Sequence, residues 1–366
     1  MSYITAIGTA TPRYRFSQSA IADFMVRAMQ LDEAEAGKLR ALYRATGIES
    51  RYSVLPDYGK TRDYEFYANT TDLSPLPTTK KRLEIFRKYA VELSCEAALR
   101  ALHGVDVKDI THLIVVSCTG LYAPGLDIDL IKALGLRADV QRTAVNFMGC
   151  YAAFNALKLA DSFCGNRPDA KVLIICTELC SLHFQNSNTP DNILANALFG
   201  DGSASVLVEG HTRKGLNLKP EIFHCDLAPG GEDDMAWTVG DAGFEMKLSA
   251  YVPDIIQGGI RQLTTKLLEN ISKAMTLSDV NYFAIHPGGK RILEVIEKEL
   301  GLTRSQNEYA YQVLRKYGNM SSPTIVFVLQ ELCRNLNGVD HNKKILSFAF
   351  GPGLTLESML LSVVNA

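Results

Sequence analysis

The hydrophobic and polar positions of this chain alternate between two kinds of segment. Short apolar runs rich in β-branched residues predict buried strands at residues 112–118, 171–177 and 343–350. Longer stretches, residues 18–48 and 78–103, mix charged and apolar positions and predict amphipathic surface helices. Strands that alternate with helices indicate an α/β protein whose buried sheets are covered by helices.

The order of these elements repeats in the two halves of the chain. In the first half, a strand leads to a helix that begins near Cys150 and then to another strand. In the second half, the strand that ends at His286 leads to a helix at Asn319 and then to a further strand. The repeat predicts a duplicated fold with halves at residues 1–210 and 211–366.

Three further segments complete the prediction of the fold. Residues 203–209 and 354–364 are apolar and predict the strands that close the two halves. Residues 225–243 are acidic and rich in turn-forming residues, so this segment is expected to be a loop over the site.

Composition narrows the class of protein. The chain has 366 residues, of which 47% are hydrophobic, enough to bury a large core. The formal net charge of −2 does not indicate the excess positive charge that binding to nucleic acid or to an anionic membrane requires. No apolar run approaches the ~20 residues of a membrane helix, and the N-terminus lacks the pattern of a signal peptide. We therefore expect a cytoplasmic enzyme without a nucleic-acid or membrane partner.

The eight cysteines follow no disulfide framework, so free thiols are expected. Cys176 and Cys180 form a C-x-x-x-C pair, but no second pair or histidine cluster accompanies it. No metal site is therefore expected.

Cys150 stands where an apolar stretch becomes a helix. The unpaired N–H groups and positive dipole end of a helix favour a thiolate over a thiol. A cysteine that attacks thioesters also needs a base or ion-pair partner and a donor that holds an enolate or oxyanion. His286 and Asn319 are residues of those types. Alone, the three residues would be interpreted as a core thiol, a core histidine and a helix cap; together they predict a catalytic site.

The segments around these three residues resemble the Cys-His-Asn active site of the thiolase-fold condensing enzymes. Two further motifs, Leu-Phe-Gly-Asp-Gly at residues 198–202 and Phe-Gly-Pro-Gly at residues 350–353, resemble the type III polyketide synthases, the chalcone and stilbene synthase group. The likeness runs from about Ile4 to the last strand. It implies a thiolase-like, five-layer αβαβα fold in which Cys150 and Asn319 lie at the ends of paired central helices.

The resemblance also implies a reaction. An acyl-CoA starter would acylate Cys150, and malonyl-CoA would lose carbon dioxide while His286 and Asn319 hold its enolate. Repeated condensation would then build a chain that cyclises to a pyrone, resorcinol or related aromatic product. CoA thioesters are the implied substrates, and no cofactor is implied. Family members are homodimers, and the loop at residues 122–124 is where a partner chain is expected.

Phe199 and Phe244 match the two gatekeeping phenylalanines of the family. The other substrate-binding positions that the resemblance carries over are Cys118, Cys180, His183, Met235, Ser321, Gly351, Pro352, Gly353 and Lys38. The family's N-terminal basic helix corresponds to the stretch with Lys38, Arg40, Arg44 and Arg51, of which only Lys38 falls on a matching basic position.

Departures from the plant-like pattern bear on the product. Ala123 replaces a methionine that reaches across the dimer, and Ala349 replaces the first glycine of the carboxyl loop. Large groups at His183 and Met235 would fill the cavity for a coumaroyl starter, whereas the small Ala123 could open a tunnel. This pattern favours a bacterial-type enzyme that makes alkylpyrones, alkylresorcinols or a short-chain product over a chalcone synthase.

Two alternatives remain open at this point. An initiating β-ketoacyl-acyl carrier protein synthase also uses Cys, His and Asn, but usually shows a basic patch for its acidic carrier protein and lacks the Phe-Gly-Pro-Gly loop. A non-catalytic thiolase-fold binding subunit is disfavoured because the chain retains all three catalytic residue types. A hydroxymethylglutaryl-CoA synthase would need a glutamate before the Cys150 segment, and no match is found.

Overall fold

The computed structural model describes residues 1–366 except 229, 230, 232, 233, 250 and 272–274. The strands are β1 Tyr3–Ala10, β2 Tyr14–Ser17, β3 Ser50–Ser53, β4 His112–Ser117, β5 Gln141–Asn146, β6 Lys171–Leu179, β7 Asp201–Glu209, β8 Leu216–Leu227, β9 Met235–Gly240, β10 Gly243–Leu248, β11 Tyr282–Ile285, β12 Lys344–Gly351 and β13 Thr355–Asn365. The helices are α1 Gln18–Ala28, α2 Glu33–Ala45, α3 Thr79–Ala101, α4 Leu126–Leu134, α5 Ala152–Asn166, α6 Pro190–Leu198, α7 Val252–Glu269, α8 Lys290–Leu300, α9 Glu308–Tyr317 and α10 Thr324–Cys333.

The main sheet consists of two sets of strands that share one pattern. In the first half the order is β5-β4-β6-β7-β1, with β4 parallel to β5 and β6, and with β7 antiparallel to β6 and β1. In the second half the order is β11-β12-β13-β8, with a parallel pair followed by two antiparallel pairs. The two sets meet through one residue pair, Ile4 and Leu218. The order of elements repeats as the sequence predicted.

Apolar side chains form three clusters, which lie between the layers of helices and strands. The central cluster joins Phe154 of α5 and Phe327 of α10 to residues of both sets of strands, such as Ile174 and Ile345. One outer cluster packs α1 to α4 against the first set of strands, and the other packs α7, α8 and α9 against the second set. Helices α5 and α10 therefore lie between the two sets, which confirms the predicted αβαβα arrangement.

The predicted surface helices are confirmed as α1, α2 and α3. The prediction of a loop over residues 225–243 is wrong for its described part. Strand β8 continues to Leu227, and β9 pairs with β10 in an antiparallel hairpin. Alternating apolar positions in β9 and β10 outweighed the turn-forming residues nearby. Residues 229, 230, 232 and 233 lie outside the described part of the segment.

All eight cysteines are free thiols. Within the described residues, no helix is both long and apolar enough to cross a membrane.

Candidate active site

Cys150 lies in the turn that links β5 to α5 and is 8% exposed. Gly149 before it has φ +75°, a conformation that favours glycine. A Cβ on Gly149 would overlap the Pro352 ring, and one on Gly351 would lie 2.6 Å from the Tyr151 ring. The Gly-Pro-Gly loop of the second half therefore packs directly against the turn that holds the thiol.

Asn319 follows Gly318 in the connection between α9 and α10. Its backbone N–H donates to the Leu198 carbonyl at 2.9 Å, and its own carbonyl accepts from Gly200 N–H at 2.9 Å. The side-chain Oδ1 accepts from Ser321 N–H at 2.8 Å, which orients Nδ2 away from that turn. Nδ2 lies 3.9 Å from Cys150 Sγ. Oδ1 lies at the same 3.9 Å from the sulfur, and Nδ2 also donates to the Gly288 carbonyl at 3.3 Å, so the amide is fixed beside Cys150.

His286 follows β11 directly, and its backbone N–H donates to the Phe348 carbonyl at 2.9 Å. The imidazole is 1% exposed. Neither ring nitrogen has a hydrogen-bond partner among the described residues. A buried polar group without a partner is unfavourable, so these nitrogens are suited to interact with a bound substrate. Either one can bind a substrate oxygen or accept a proton.

These three residues line one cleft of about 630 Å³, which we call the reaction cleft. Its other lining residues are Cys118, Thr119, Gly149, Cys180, Phe199, Met235, Ala236, Trp237, Met246, Leu248, Gly288, Ile292, Ser321, Phe350 and Pro352. The fold therefore brings together residues from both halves of the chain. Of the binding positions carried over by resemblance, Cys118, Cys180, Phe199, Met235, Ser321 and Pro352 line this cleft.

Phe244 does not line the reaction cleft in the described structure, contrary to the gatekeeping position expected for it. It is 1% exposed and stacks on His183, with ring centroids 4.3 Å apart. Met246, two residues further along β10, lines the cleft instead. Alternate residues of a strand point to the same face. Strand β10 therefore contributes to the wall of the reaction cleft as expected, but through Met246 and not through Phe244.

His183 forms part of the support behind the wall of the cleft. Its Nε2 lies 2.7 Å from the Thr119 carbonyl, and its Nδ1 accepts from Phe244 N–H at 2.9 Å. Nε2 must therefore carry the proton. Burial lowers the pKa of His183 to about 3, so the imidazole stays neutral and joins the hairpin to the loop after β4.

Four other expected residues lie outside the reaction cleft as described. Gly351 and Gly353 flank Pro352 in the loop beneath the cleft. Lys38 is exposed on α2. Ala123 is also exposed and lines a different cleft, beside β5.

Two of the other basic side chains of the N-terminal stretch, Arg40 and Arg51, have partners within the protein. Arg40 pairs with Asp23 at 2.9 Å. Arg51 is 4% exposed and donates to the Gln18 side chain and the Asn196 carbonyl. Lys38 and Arg44 are exposed, and they are the members of this stretch that remain accessible to a phosphate.

Burial acts on the two titratable catalytic candidates in opposite directions. It raises the pKa of the Cys150 thiol to about 11, partly offset by hydrogen bonding to Ser321. Burial also lowers the pKa of His286 to about 3. Both effects favour the neutral thiol and the neutral imidazole. This direction is opposite to the thiolate that the position before a helix led us to expect.

Glu178 is a buried residue of the site that sequence analysis missed. Its Oε2 accepts from Cys118 N–H at 2.9 Å and from the Thr119 hydroxyl at 2.7 Å, and its Oε1 accepts from the Ser322 hydroxyl at 2.7 Å. The carboxyl group therefore ties the loop after β4 to the turn that carries Asn319. Burial raises the pKa of Glu178 to about 7. A single acidic residue in the apolar run of β6 was the available signal.

Trp237 is the second residue that was missed. Its indole N–H donates to the Cys118 carbonyl at 2.7 Å, and its ring meets His183 edge to face. The only tryptophan in the chain thus closes one side of the reaction cleft.

The arrangement suits acyl transfer to sulfur. The Cys150 thiol, the His286 imidazole and the Asn319 amide face a mostly apolar space, where electrostatic stabilisation of developing charge is strong. Among the described residues, no group of three or more His, Cys, Asp or Glu side chains is placed to hold a metal ion.

Comparison with protein families agrees with this geometry. Residues 1–211 match the model described as "Chalcone and stilbene synthases, N-terminal domain", and residues 222–365 match the corresponding C-terminal domain.

Two curated relatives show the same likeness. Alpha-pyrone synthesis polyketide synthase-like Pks18 of Mycobacterium tuberculosis is 30% identical over 372 residues, which cover 100% of this chain and 92% of the relative. Probable polyketide synthase 1 of Dictyostelium discoideum is 33% identical over 373 residues. That match covers 99% of this chain and 11% of the much longer relative.

Two solved structures share the fold. PKS-I from the brown alga Ectocarpus siliculosus is 32% identical, with a TM-score of 0.92 and coverage of 99% of this chain and 98% of the other. The C-terminal type III polyketide synthase domain of Steely1 from Dictyostelium is also 32% identical, with a TM-score of 0.89 and 99% coverage of both chains.

Proposed function

This chain belongs to the chalcone and stilbene synthase family of type III polyketide synthases, and from that premise we propose that Cys150, His286 and Asn319 catalyse its condensation reactions. The supporting observation is the convergence of Cys150 Sγ and Asn319 Nδ2 at 3.9 Å in a cleft that His286 also lines. Residues from both halves of the chain would then act on one bound acyl group.

The first step loads the starter. Cys150 Sγ attacks the carbonyl carbon of an acyl-CoA, and the thiol proton passes to His286. The C–S bond to CoA breaks, and the departing thiolate takes up that proton. His286 acts here as the general base for the thiol proton, and burial of the two groups favours their neutral forms before the attack.

The second step generates the carbon nucleophile. Malonyl-CoA loses carbon dioxide, and the electron pair of the broken C–C bond forms an enolate on the thioester. Asn319 Nδ2–H and one N–H of His286 donate hydrogen bonds to the enolate oxygen. A neutral imidazole suffices for this role since it still carries one N–H donor.

The third step joins the two units. The enolate carbon attacks the acyl group on Cys150, a new C–C bond forms, and Cys150 leaves as the thiolate. The Cys150 thiolate then attacks the thioester of the extended chain, the C–S bond to CoA breaks, and the released CoA thiolate takes up a proton from water. Cys150 carries the longer chain into another round until cyclisation ends the sequence. CoA thioesters serve as substrates, and the proposed steps call for no metal or redox cofactor.

We place the products among pyrones, alkylresorcinols and related short or alkylated aromatic compounds. Trp237 and Met235 line the wall near Cys118, and His183 supports it; these bulky side chains favour an aliphatic starter over an aromatic one such as a coumaroyl group. The relative named for alpha-pyrone synthesis is compatible with this assignment.

We also propose that the protein is a homodimer. Strand β5 ends the main sheet and pairs with β4 on one side only. Its residues Gln141, Arg142, Ala144 and Asn146 are exposed, and the exposed Ala123 loop lines a cleft beside it. An uncovered strand edge is suited to pairing with a second copy. Light scattering coupled to size exclusion tests this assembly.

A reducing compartment such as the cytoplasm is the proposed location. All eight cysteines are free, and Cys225 is exposed. Exposed free thiols persist where the environment keeps them reduced.

Intact-protein mass spectrometry tests the proposed role of Cys150. Incubation with hexanoyl-CoA should add one hexanoyl group to the wild type and none to Cys150→Ala, with release of one CoA. Cys225→Ala is the matched control, because that cysteine is exposed and lies outside the reaction cleft. Acylation of Cys150→Ala, or none in the wild type, would exclude the proposed loading step.

A further inference from the structure

Phe147, three residues before the proposed nucleophile, has an unusual backbone conformation. It directly follows β5, and its N–H donates to the Ser117 carbonyl at 3.3 Å. Its φ is +58°, in the left-handed region that is unfavourable for a residue with a bulky side chain. Glycine would adopt this conformation freely, and asparagine would adopt it at a lower cost. Contacts elsewhere in the folded protein therefore have to maintain it.

The turn that carries the thiol begins with this conformation. Gly149 is also left-handed, with φ +75°, and its N–H donates to the Cys118 sulfur at 2.9 Å. Two left-handed residues within three positions thus turn the chain from the end of β5 towards α5. Cys150 is the next residue, so a change in the backbone at Phe147 would move its sulfur relative to Asn319.

The Phe147 ring packs edge to face against Phe244. The ring centroids are 5.2 Å apart and the planes are inclined at 64°, a favourable geometry for an aromatic pair. Phe244 is itself held firmly, because its ring stacks on His183 and its N–H donates to that imidazole. His183 is in turn bonded to the Thr119 carbonyl. The Phe147 ring therefore rests on a part of the structure that is fixed by several contacts.

Phe147 is half-buried and does not line the reaction cleft as described. An effect on the reaction would therefore be transmitted through the backbone of the turn. The two other catalytic candidates are held by different contacts: the Asn319 N–H donates to the Leu198 carbonyl, and the His286 N–H donates to the Phe348 carbonyl, both at 2.9 Å. Removal of the Phe147 ring leaves these two hydrogen bonds in place.

We infer that Phe147 is a positioning residue for Cys150. Packing of its ring on Phe244 maintains the left-handed backbone that presents the sulfur beside Asn319. This inference rests on the proposed function, because it takes Cys150 as the nucleophile. Loss of the ring should slow the steps that need Cys150 and spare the decarboxylation of malonyl-CoA, which needs the other two residues.

Two rates, measured separately, test the inference. They are the transfer of a hexanoyl group from hexanoyl-CoA to the protein, followed by intact-protein mass spectrometry, and the formation of acetyl-CoA from malonyl-CoA. Phe147→Asn and Phe147→Gly remove the ring but tolerate the left-handed backbone, and Phe147→Tyr is the matched control that keeps the ring. In the Asn and Gly variants acylation should slow at least about tenfold, because a shift of about 1 Å can cost on the order of 10²-fold. Their decarboxylation should stay within about twofold of the wild type, and Phe147→Tyr should stay within about threefold in both rates.

Three results would overturn the inference. Acylation at the wild-type rate in Phe147→Asn and Phe147→Gly would show that the ring is not needed. An equal fall of both rates would show that Phe147 supports the fold as a whole, and a Phe147→Tyr variant as slow as Phe147→Asn would show that the ring is not the determinant. Failure of the proposed function is a different outcome, since the wild type would then not be acylated at all.

Discussion

The side chains of Cys150 and Asn319 meet at 3.9 Å, although 169 positions separate them in the chain. Cys150 lies in the turn before α5, and Asn319 lies in the connection that leads to α10, one from each half of the duplicated fold. The meeting depends on two supports: Pro352 packs under Gly149, and Ser321 N–H orients the amide. The site is therefore a product of the interface between the halves, and disturbance of either support should be detectable.

Replacement of Asn319 by Ala removes the proposed enolate donor. We expect malonyl-CoA decarboxylation to fall by roughly 10²–10³-fold, the loss seen when a single oxyanion donor is removed. Acetyl-CoA formation, followed by chromatography, measures it. Cys150→Ala is the informative comparison, since it should lose condensation but keep some decarboxylation. Wild-type malonyl-CoA turnover in Asn319→Ala would assign the enolate to another donor.

Gly149→Ala tests the packing beneath the nucleophile. The added Cβ would overlap Pro352, at a φ of +75° that is unfavourable for alanine. The free energy of unfolding should fall by about 2–4 kcal/mol, measured by urea denaturation. Gly165→Ala, in the neighbouring helix α5, is the control, because nothing lies within 4 Å of its added Cβ. The control should be neutral or more stable by up to about 1 kcal/mol. Equal stability of the two variants would refute the proposed constraint.

The pKa of Cys150 predicts how its alkylation depends on pH. Burial raises that pKa to about 11, so below this value the unreactive thiol predominates. The rate of iodoacetamide modification should rise by about tenfold per pH unit between pH 7 and 9, followed by mass spectrometry of the Cys150 peptide. His286→Ala should show the same slope, since burial keeps that imidazole neutral. A wild-type rate that is flat over this range, and steep in His286→Ala, would instead reveal a thiolate–imidazolium pair.

Glu178 should make stability depend on pH. Burial raises its pKa from 4.5 to about 7 in the folded protein, so between these values the folded state binds the proton that the unfolded state has lost. The free energy of unfolding should therefore fall by roughly 3 kcal/mol as pH rises from 4.5 to 7, and then level off.

The Glu178→Gln variant isolates that contribution. Subtracting its unfolding free energy from that of the wild type at each pH removes shared terms, including that of Asp201, whose pKa burial also raises. The difference should decline from pH 4.5 to 7. A difference that is constant with pH would mean that Glu178 is ionised throughout in the folded state.

Local sequence patterns were sufficient to predict much of the fold and the three central residues of the site. The β-branched runs and the matched spacing of the two halves predicted the repeat. Cys150, His286 and Asn319 could be selected because each stands where a strand or loop meets a helix. These features depend on residues that are close together in the chain, so they can be predicted from the sequence.

The remaining features depend on contacts between distant segments. The position of Met246 in the reaction cleft, with Phe244 behind it, is set by how the hairpin docks on His183. The role of Glu178 is defined by Ser322, which is 144 positions away. Burial of Cys150 among residues of both halves raises its pKa, opposite to the expected effect of the helix end. None of these contacts leaves a periodic signal in the sequence.

The most direct test of the account is the product formed by purified protein from malonyl-CoA and a panel of starters, from acetyl-CoA to long-chain acyl-CoA and coumaroyl-CoA, identified by mass spectrometry. We expect pyrones or resorcinols that contain several malonyl-derived units, with aliphatic starters preferred over coumaroyl-CoA. Absence of products from CoA substrates, together with a single condensation on malonyl carrier protein, would contradict iterative synthesis and indicate an initiating ketoacyl synthase.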